Sequence, residues 1–231
     1  MNYKVASTLN EVLSAWGLVY KQYLQAAFIR PNEISVFTFP EYLSNNSAVV
    51  VGENKGNVVC TASAVLDGPQ GLPLDTYYQK ELNHLRSEGR KLIEIGLLAD
   101  TRGTANVNEI MDLISAISRF GGFSGHHDYV IGVNPKRMNL FSKVFGVKVY
   151  GEPKDYESLK AAPVVLMHVK TSDLEVNIRR AISRICNVPK SLNFAQRFKF
   201  NPNNFIPAVE FGGTIETFIN IIWKQEQLKA A

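Results

Sequence analysis

In the run Gly89-Arg90-Lys91-Leu92-Ile93-Glu94-Ile95-Gly96-Leu97-Leu98-Ala99-Asp100, one carboxylate and one glycine interrupt what otherwise reads as a buried strand. An ionised carboxylate inside a sheet costs on the order of several kcal/mol unless it is paired, and burial raises its pKa. Glu94 therefore suits a base that takes a proton from a nucleophile. Gly96 has no side chain to pack, and a glycine within a strand marks a bulge or a place where a ligand lies against the backbone. A proton acceptor and a backbone slot then sit two residues apart. The same residues also fit a plainer reading, in which Glu94 is a structural carboxylate held by Arg86 or Arg90 and Gly96 is a packing glycine, because ion-pair networks perturb a pKa as sites do.

Other groupings carry less chemistry. His126-His127-Asp128 contains metal-ligand types, but adjacent residues point in different directions and no further ligand follows at helical spacing. It reads as a loop before a strand, and no metal is expected. No Ser/His/Asp or Cys/His arrangement for a nucleophile stands out. Cys60 and Cys186 lie far apart in apolar contexts and read as two reduced, packed thiols. Residues 133–154 hold Lys136, Arg137, Lys143, Lys148 and Lys154 against Glu152 alone, so the chain's net charge of +4 is concentrated there. Such a surface attracts phosphates or an acidic partner, or is simply a solvated face. Nucleic acid fits poorly, since no recognised binding motif accompanies the lysines.

The elements that must position these residues follow from periodicity. Leu9, Leu13, Trp16, Val19, Tyr20, Tyr23, Leu24 and Ala27 recur at helical spacing, predicting a helix from Leu9 to Phe28 that stops before Pro31. Ala48–Gly52 and Val58–Leu66 read as strands joined by a hairpin loop over 53–57. The Asp67–Pro73 stretch breaks regular structure, and a helix over Thr76–Ser87 leads into the Glu94 strand. A helix over Asn106–Phe120 ends at Gly121-Gly122, and Tyr129–Val133 is a strand. Pro135 opens a short helix reaching Phe145. Val147–Gly151 and Val164–Val169 complete the strands. This order implies a mixed α/β sheet with helices on both faces.

At 231 residues, 45% hydrophobic and 20% charged, the composition is that of an ordinary soluble globular protein. No apolar run is long enough to span a bilayer, and the N-terminus lacks the order of a secretion signal. A cytoplasmic location, with no integral membrane segment, is the expectation.

Several segments together resemble a family. Leu18-Val19-Tyr20-Lys21-Gln22-Tyr23 with Ile29-Arg30-Pro31-Asn32, Leu66-Asp67-Gly68-Pro69-Gln70-Gly71-Leu72-Pro73, and Leu85-Arg86-Ser87-Glu88-Gly89-Arg90 are followed by Glu94-Ile95-Gly96-Leu97-Leu98-Ala99-Asp100, Val133-Asn134-Pro135-Lys136-Arg137 and Ala161-Ala162-Pro163-Val164-Val165-Leu166. In this order they resemble the GNAT acyltransferases, and within them the long-chain N-acyl amino acid synthases related to acyl-homoserine-lactone synthases. The resemblance covers about residues 9–170. It implies a GNAT-like, mostly antiparallel central sheet with helices on both faces for residues 1–170, followed by a C-terminal helical extension over 171–231.

The implied reaction moves a long fatty acyl group from acyl carrier protein, or from coenzyme A, to the amino group of an amino acid or similar small-molecule amine, with no tightly bound cofactor. The resemblance places the donor's phosphopantetheine arm against Gly96, Leu97 and Leu98, its phosphate near Arg102-Gly103-Thr104, and a further contact at Asn134. It makes Glu94 the residue that accepts or relays the amine proton. A tyrosine that protonates the leaving thiolate in GNAT enzymes corresponds here to Phe141, which has no hydroxyl. Tyr20, Tyr23 and Arg30 either line the acceptor pocket or anchor the first helix. Lys136, Arg137 and Lys143 would dock an acidic acyl carrier protein. Two other readings stay open: a conventional acetyl-coenzyme A N-acetyltransferase, and a non-catalytic acyl-thioester-binding regulatory protein. Beyond Ser172, Asp173–Cys186 and Thr214–Leu228 are amphipathic candidates flanking an irregular Val188–Phe211 connector. Their helices could pack on the core, cover an acyl tunnel or make a homodimer contact.

Overall fold

The computed structural model describes residues 1–44, 46–102 and 107–185. Strands β1 (Asn2–Val5), β2 (Ser47–Asn54), β3 (Asn57–Leu66), β4 (Leu92–Asp100), β5 (Asp128–Val133), β6 (Lys148–Val149), β7 (Lys154–Tyr156) and β8 (Ala162–Lys170) form one sheet in the order β1-β2-β3-β4-β5-β8-β6, with β7 also on β8. All pairings are antiparallel except β4 with β5. Helices α1 (Leu9–Gln25) and α2 (Asp75–Ser87) cover one face. Helices α3 (Val107–Phe123), α4 (Met138–Phe145) and α5 (Thr171–Ile185) cover the other.

Side-chain alternation along β4 divides the core. Ile93 and Ile95 join the cluster under α3, α4 and α5, whereas Leu92 and Leu97 join the cluster under α1 and α2. Leu174 and Ile178 of α5 enter the first of these clusters. No described helix is long and apolar enough to cross a membrane.

Local chemistry explains where elements begin and end. Thr8 caps α1 by accepting from the Glu11 N–H, while the Glu11 carboxylate accepts from the Thr8 N–H. The helix stops three residues short of Phe28. Ala27 turns left-handed (φ 59°), its N–H bonds Leu24 O, and the Phe28 N–H bonds Tyr23 O at 2.9 Å. This Schellman closure is completed by the edge-to-face contact of Tyr23 and Phe28, 5.9 Å between ring centres.

Three further sequence expectations are corrected. The β2–β3 hairpin turns on two residues, Lys55 and Gly56, both left-handed (φ 50° and 79°), so both strands extend into what periodicity read as a loop. Helix α3 runs through Gly121-Gly122 instead of stopping there. Gly121 serves close packing, because a Cβ at that position would meet Ile93 and the Tyr129 hydroxyl. The strand expected over Val147–Gly151 shrinks to two residues, and the edge strands β1 and β7, too short for a periodic signal, were not expected at all. Gly103, Thr104, Cys186, the Val188–Phe211 connector and the Thr214–Leu228 helix lie outside the described residues.

Candidate active site

The parallel β4–β5 ladder runs from Leu92 opposite Asp128 to Ile95 opposite Ile131 and then stops, although both strands continue. The cause is in β4. Thr61 pairs with Ala99 and Ser63 with Gly96, so β4 spends an extra residue opposite β3, and Leu97 adopts a left-handed φ of 49°. A bulge of this kind bends the strand that carries it. The gap between the strands opens into a cavity of about 590 Å³, within the range of small-molecule and cofactor sites.

Its walls come from several elements. Gly96, Leu97 and Leu98 of β4 face Gly132 and Val133 of β5. Tyr23, Ala26 and Phe28 close it at the end of α1, Ile110 and Leu113 of α3 and Phe141 of α4 line the opposite face, and Asn134, Lys136 and Arg137 rim it. The cavity thus passes through the thickness of the sheet, where β4 and β5 offer backbone groups that do not pair with each other.

Glu94 sits on the α1/α2 side of β4, 4% exposed. Its Oε2 accepts from the Leu74 N–H at 2.8 Å. Burial, together with the negative charges of Glu41, Asp75 and Asp67, holds its pKa well above the usual carboxylate range, against the opposing pull of the Leu74 N–H. Neither arginine offered by the sequence holds it. Arg86 grips Asp67 and Asp75, and Arg90 binds Glu88 and Asp128. A buried carboxyl with a raised pKa and no arginine in hydrogen-bond contact is a candidate functional group.

The structure brings together Gly96, Leu97, Leu98, Asn134, Tyr23, Lys136 and Arg137 around one cavity. The bulge at Leu97, not the absence of a side chain at Gly96, opens the strand edge. Gly96 answers a different demand, since a Cβ there would run into the Tyr42 hydroxyl. Asn134 caps the turn Pro135–Arg137, its Oδ1 accepting from the Lys136 N–H at 3.1 Å, while also rimming the cavity. Arg102 bonds Glu109 and stands outside the cavity lining. Tyr20 anchors α1, its hydroxyl 3.3 Å from the Asn32 N–H, and Arg30 is exposed. Both lie away from this cavity. Lys143 is exposed on α4. Phe141 packs against Phe145, with 5.6 Å between ring centres, and lines the cavity without a hydroxyl.

Sequence reasoning missed Tyr42, Ser63 and the Leu74 N–H. Tyr42 lies in a 3₁₀ turn (Pro40–Leu43) before β2, where no periodicity marks it. Ser63 reads as an ordinary strand residue until the register places it opposite Gly96. A backbone N–H leaves no trace in sequence.

The fold is shared with known enzymes. The structure of FeeM, an N-acyl amino acid synthase from uncultured soil microbes, superposes with a TM-score of 0.65 at 22% identity, covering 77% of this chain and 99% of that one. A CoA-dependent acyl-homoserine lactone synthase, BjaI, solved with MTA, gives 0.60 at 12% identity, covering 87% and 93%. The acyl-homoserine-lactone synthase LasI gives 0.54 at 12% identity, covering 74% and 88%. No match was found among curated proteins. Residues 14–170 match the family of the N-acyl amino acid synthase FeeM, and the chain belongs to that family, an acyltransferase of GNAT-like fold.

Proposed function

We propose that this N-acyltransferase moves a long-chain acyl group from the phosphopantetheine thioester of acyl carrier protein to the amino group of an amino acid or a similar amine. The observation that carries this reading is the parting of β4 and β5 after Ile95 and Ile131 into a cavity, with the buried Glu94 one strand-repeat before Gly96. An extended pantetheine arm has amides that match unpaired strand backbone. The acyl thioester at its end would lie at the bulge, where backbone N–H groups can stabilise the oxyanion. A free α-amine is mostly protonated near neutral pH, so attack requires a base whose pKa is raised toward that range. Glu94 answers that need. The attack is direct aminolysis: the amine nitrogen bonds the carbonyl carbon, the amine proton is lost toward Glu94, and the carbon–sulfur bond breaks. Phe141 offers no acid to the sulfur, but a thiolate leaves without one.

One feature favours a carrier protein over free coenzyme A. Lys136 and Arg137 are exposed at the rim of the cavity, where an acidic protein would dock. Reversing both charges (Lys136→Glu with Arg137→Glu) is expected to raise the KM for acyl carrier protein about 10-fold or more, with a weaker salt dependence. The kcat should stay near the wild-type value. Steady-state kinetics at two ionic strengths check this, and an unchanged KM removes the docking assignment.

The direct test of the reaction incubates the protein with long-chain acyl carrier protein, acyl-coenzyme A and pooled amino acids, and searches for N-acyl products by mass spectrometry. A long-chain amide formed from the carrier-bound donor supports the reading and names the acceptor. Turnover of acetyl-coenzyme A alone replaces it with a conventional acetyltransferase.

A further inference from the structure

If acyl transfer occurs between β4 and β5 with Glu94 as the base, as proposed above, the carboxyl must keep a fixed place beside that cavity. The register sets Glu94 next to Val130 of β5. Two residues further on, on the same face of the sheet, β5 carries Gly132, which lines the cavity. A Cβ on Gly132 would stand 3.0 Å from Leu74 Cδ2 and 2.8 Å from Val164 Cγ1, whereas carbon atoms in contact keep about 3.5–4.0 Å. The missing side chain therefore makes a seat. Leu74, 1% exposed, fills it from behind the cavity wall.

Leu74 is also the residue whose N–H donates to Glu94 Oε2 at 2.8 Å, the carboxyl's one hydrogen bond among the described residues. Its carbonyl accepts from the Tyr77 and Tyr78 N–H groups at 3.1 and 2.8 Å, which fixes it to the start of α2. One residue thus joins three parts of the molecule: the helix through its carbonyl, the carboxyl through its N–H, and the cavity wall through its side chain. Arg86 holds the two ends of this loop, Asp67 and Asp75, and the Leu74 side chain locates it against β5.

We propose that Leu74 is a positioning residue, whose side chain, seated on Gly132 in the wall of the donor cavity, holds its N–H on Glu94 and so sets the place of the carboxyl relative to that cavity. The N–H favours the charged form of Glu94, against burial and the charges of Glu41, Asp75 and Asp67. Moving Leu74 off its seat withdraws that support and makes the carboxyl harder to ionise. The ionisable groups around Glu94 are Glu41 and Tyr42 of the turn before β2, Asp67 after β3, Asp75 at the start of α2 and Tyr156 of β7. The test below replaces none of them.

The experiment adds a carbon on one side of the contact and then removes one from the other. Val164→Ala is the background, because it takes away the Cγ1 that a new Cβ would also meet. In that background Gly132→Ala is expected to push Leu74 off its seat and raise the acid limb of kcat, measured in the amide-forming assay at saturating donor, by about one pH unit, so that the rate below the limb falls about 10-fold, which is what a lost hydrogen bond to a charged group is worth. Adding Leu74→Val shortens the facing side chain by one carbon and should return the limb to its place in the Val164→Ala background, because volume-conserving swaps are tolerated best. Leu74→Ala in the wild type empties the seat without crowding it and must raise the limb in the same direction, even if the added Cβ unfolds the chain. Thermal midpoints over the same pH range read Glu94 without turnover. A carboxyl whose folded pKa is raised loses its stabilising contribution as pH rises toward that pKa, so the decline should reach to higher pH with the added Cβ and draw back with Leu74→Val. An unmoved limb, a lower plateau without a shift, or a shift that Leu74→Val does not reverse overturns the positioning role. The acyl-transfer reading still stands in each of these cases if the wild type makes the amide and Glu94→Gln abolishes it. If the wild type makes no amide, that reading falls and this one with it.

Discussion

Replacing Glu94 by glutamine is expected to lower turnover by about 10²- to 10⁴-fold while leaving donor binding unchanged, the effect of removing one positioned proton acceptor. Glutamine keeps the side-chain oxygen that accepts from the Leu74 N–H, so the loop over Glu94 should hold its place. The pH dependence makes the assignment sharper. Catalysis needs Glu94 deprotonated, and its pKa stands well above the ordinary value of 4.5. The wild-type rate should therefore rise with pH through an acid limb well above the usual carboxylate range, and that limb should vanish in the variant. Stability should move the opposite way. A carboxyl whose folded pKa is raised binds more protons folded than unfolded, so its contribution to stability falls as pH rises from about 4.5 toward the folded pKa. The glutamine variant lacks this term and should be at least as stable as wild type near pH 7 and above. Rate–pH profiles and thermal melts over the same buffers decide it. A dead but destabilised variant would argue for a structural Glu94.

Arg86→Ala is expected to be the most destabilising of the surface substitutions, by about 2–3 kcal/mol, because it strands two half-buried carboxylates that the arginine now satisfies. The guanidinium donates to Asp67 at 2.7 and 2.9 Å and to Asp75 at 2.7 Å from each terminal nitrogen. Asp75 in turn accepts from the Leu72 N–H at 2.7 Å. One side chain thus ties both ends of the Asp67–Asp75 loop, and that loop supplies the Leu74 N–H to Glu94. Lysine cannot reproduce a planar fork that serves two carboxylates, so Arg86→Lys should recover only part of the loss. Calorimetry should show the midpoint lower by about 5–10 °C for the alanine variant. The rate should also shift. With Asp67 and Asp75 no longer neutralised, their charges press harder on Glu94 and its acid limb moves to higher pH. A variant of wild-type stability with an unmoved acid limb would show that the clamp supports neither the loop nor the site.

The succession of the longer helices and strands and the place of Glu94 on a buried strand were legible because each rests on local rules. Helical spacing over Leu9–Ala27 and alternating or apolar runs in β2, β3, β4, β5 and β8 record burial directly. A charge and a glycine inside such a run stand out against it, as Glu94 and Gly96 do. The elements that escaped notice are those with too few residues to show a period, β1, β7 and the turn that carries Tyr42, and those where glycine played a part other than a stop, as at Gly121.

By itself the sequence singled out the candidate residues: a carboxylate that a strand has to bury, a basic segment from Lys136 onward and, through the family resemblance, Phe141 at the position of a tyrosine. Only the tertiary structure decided what those residues meet. Arg86 and Arg90 stood equally ready to neutralise Glu94 in sequence, yet the fold sends Arg86 to Asp67 and Asp75 and Arg90 to Glu88 and Asp128. The gap between β4 and β5 depends on one left-handed residue, Leu97, whose conformation comes from a register shift against β3. Tyr42 and Ser63 reach Gly96 from distant parts of the chain. Hydrophobic periodicity is written in neighbouring residues, whereas pKa, register and close approach belong to pairs that only folding brings together.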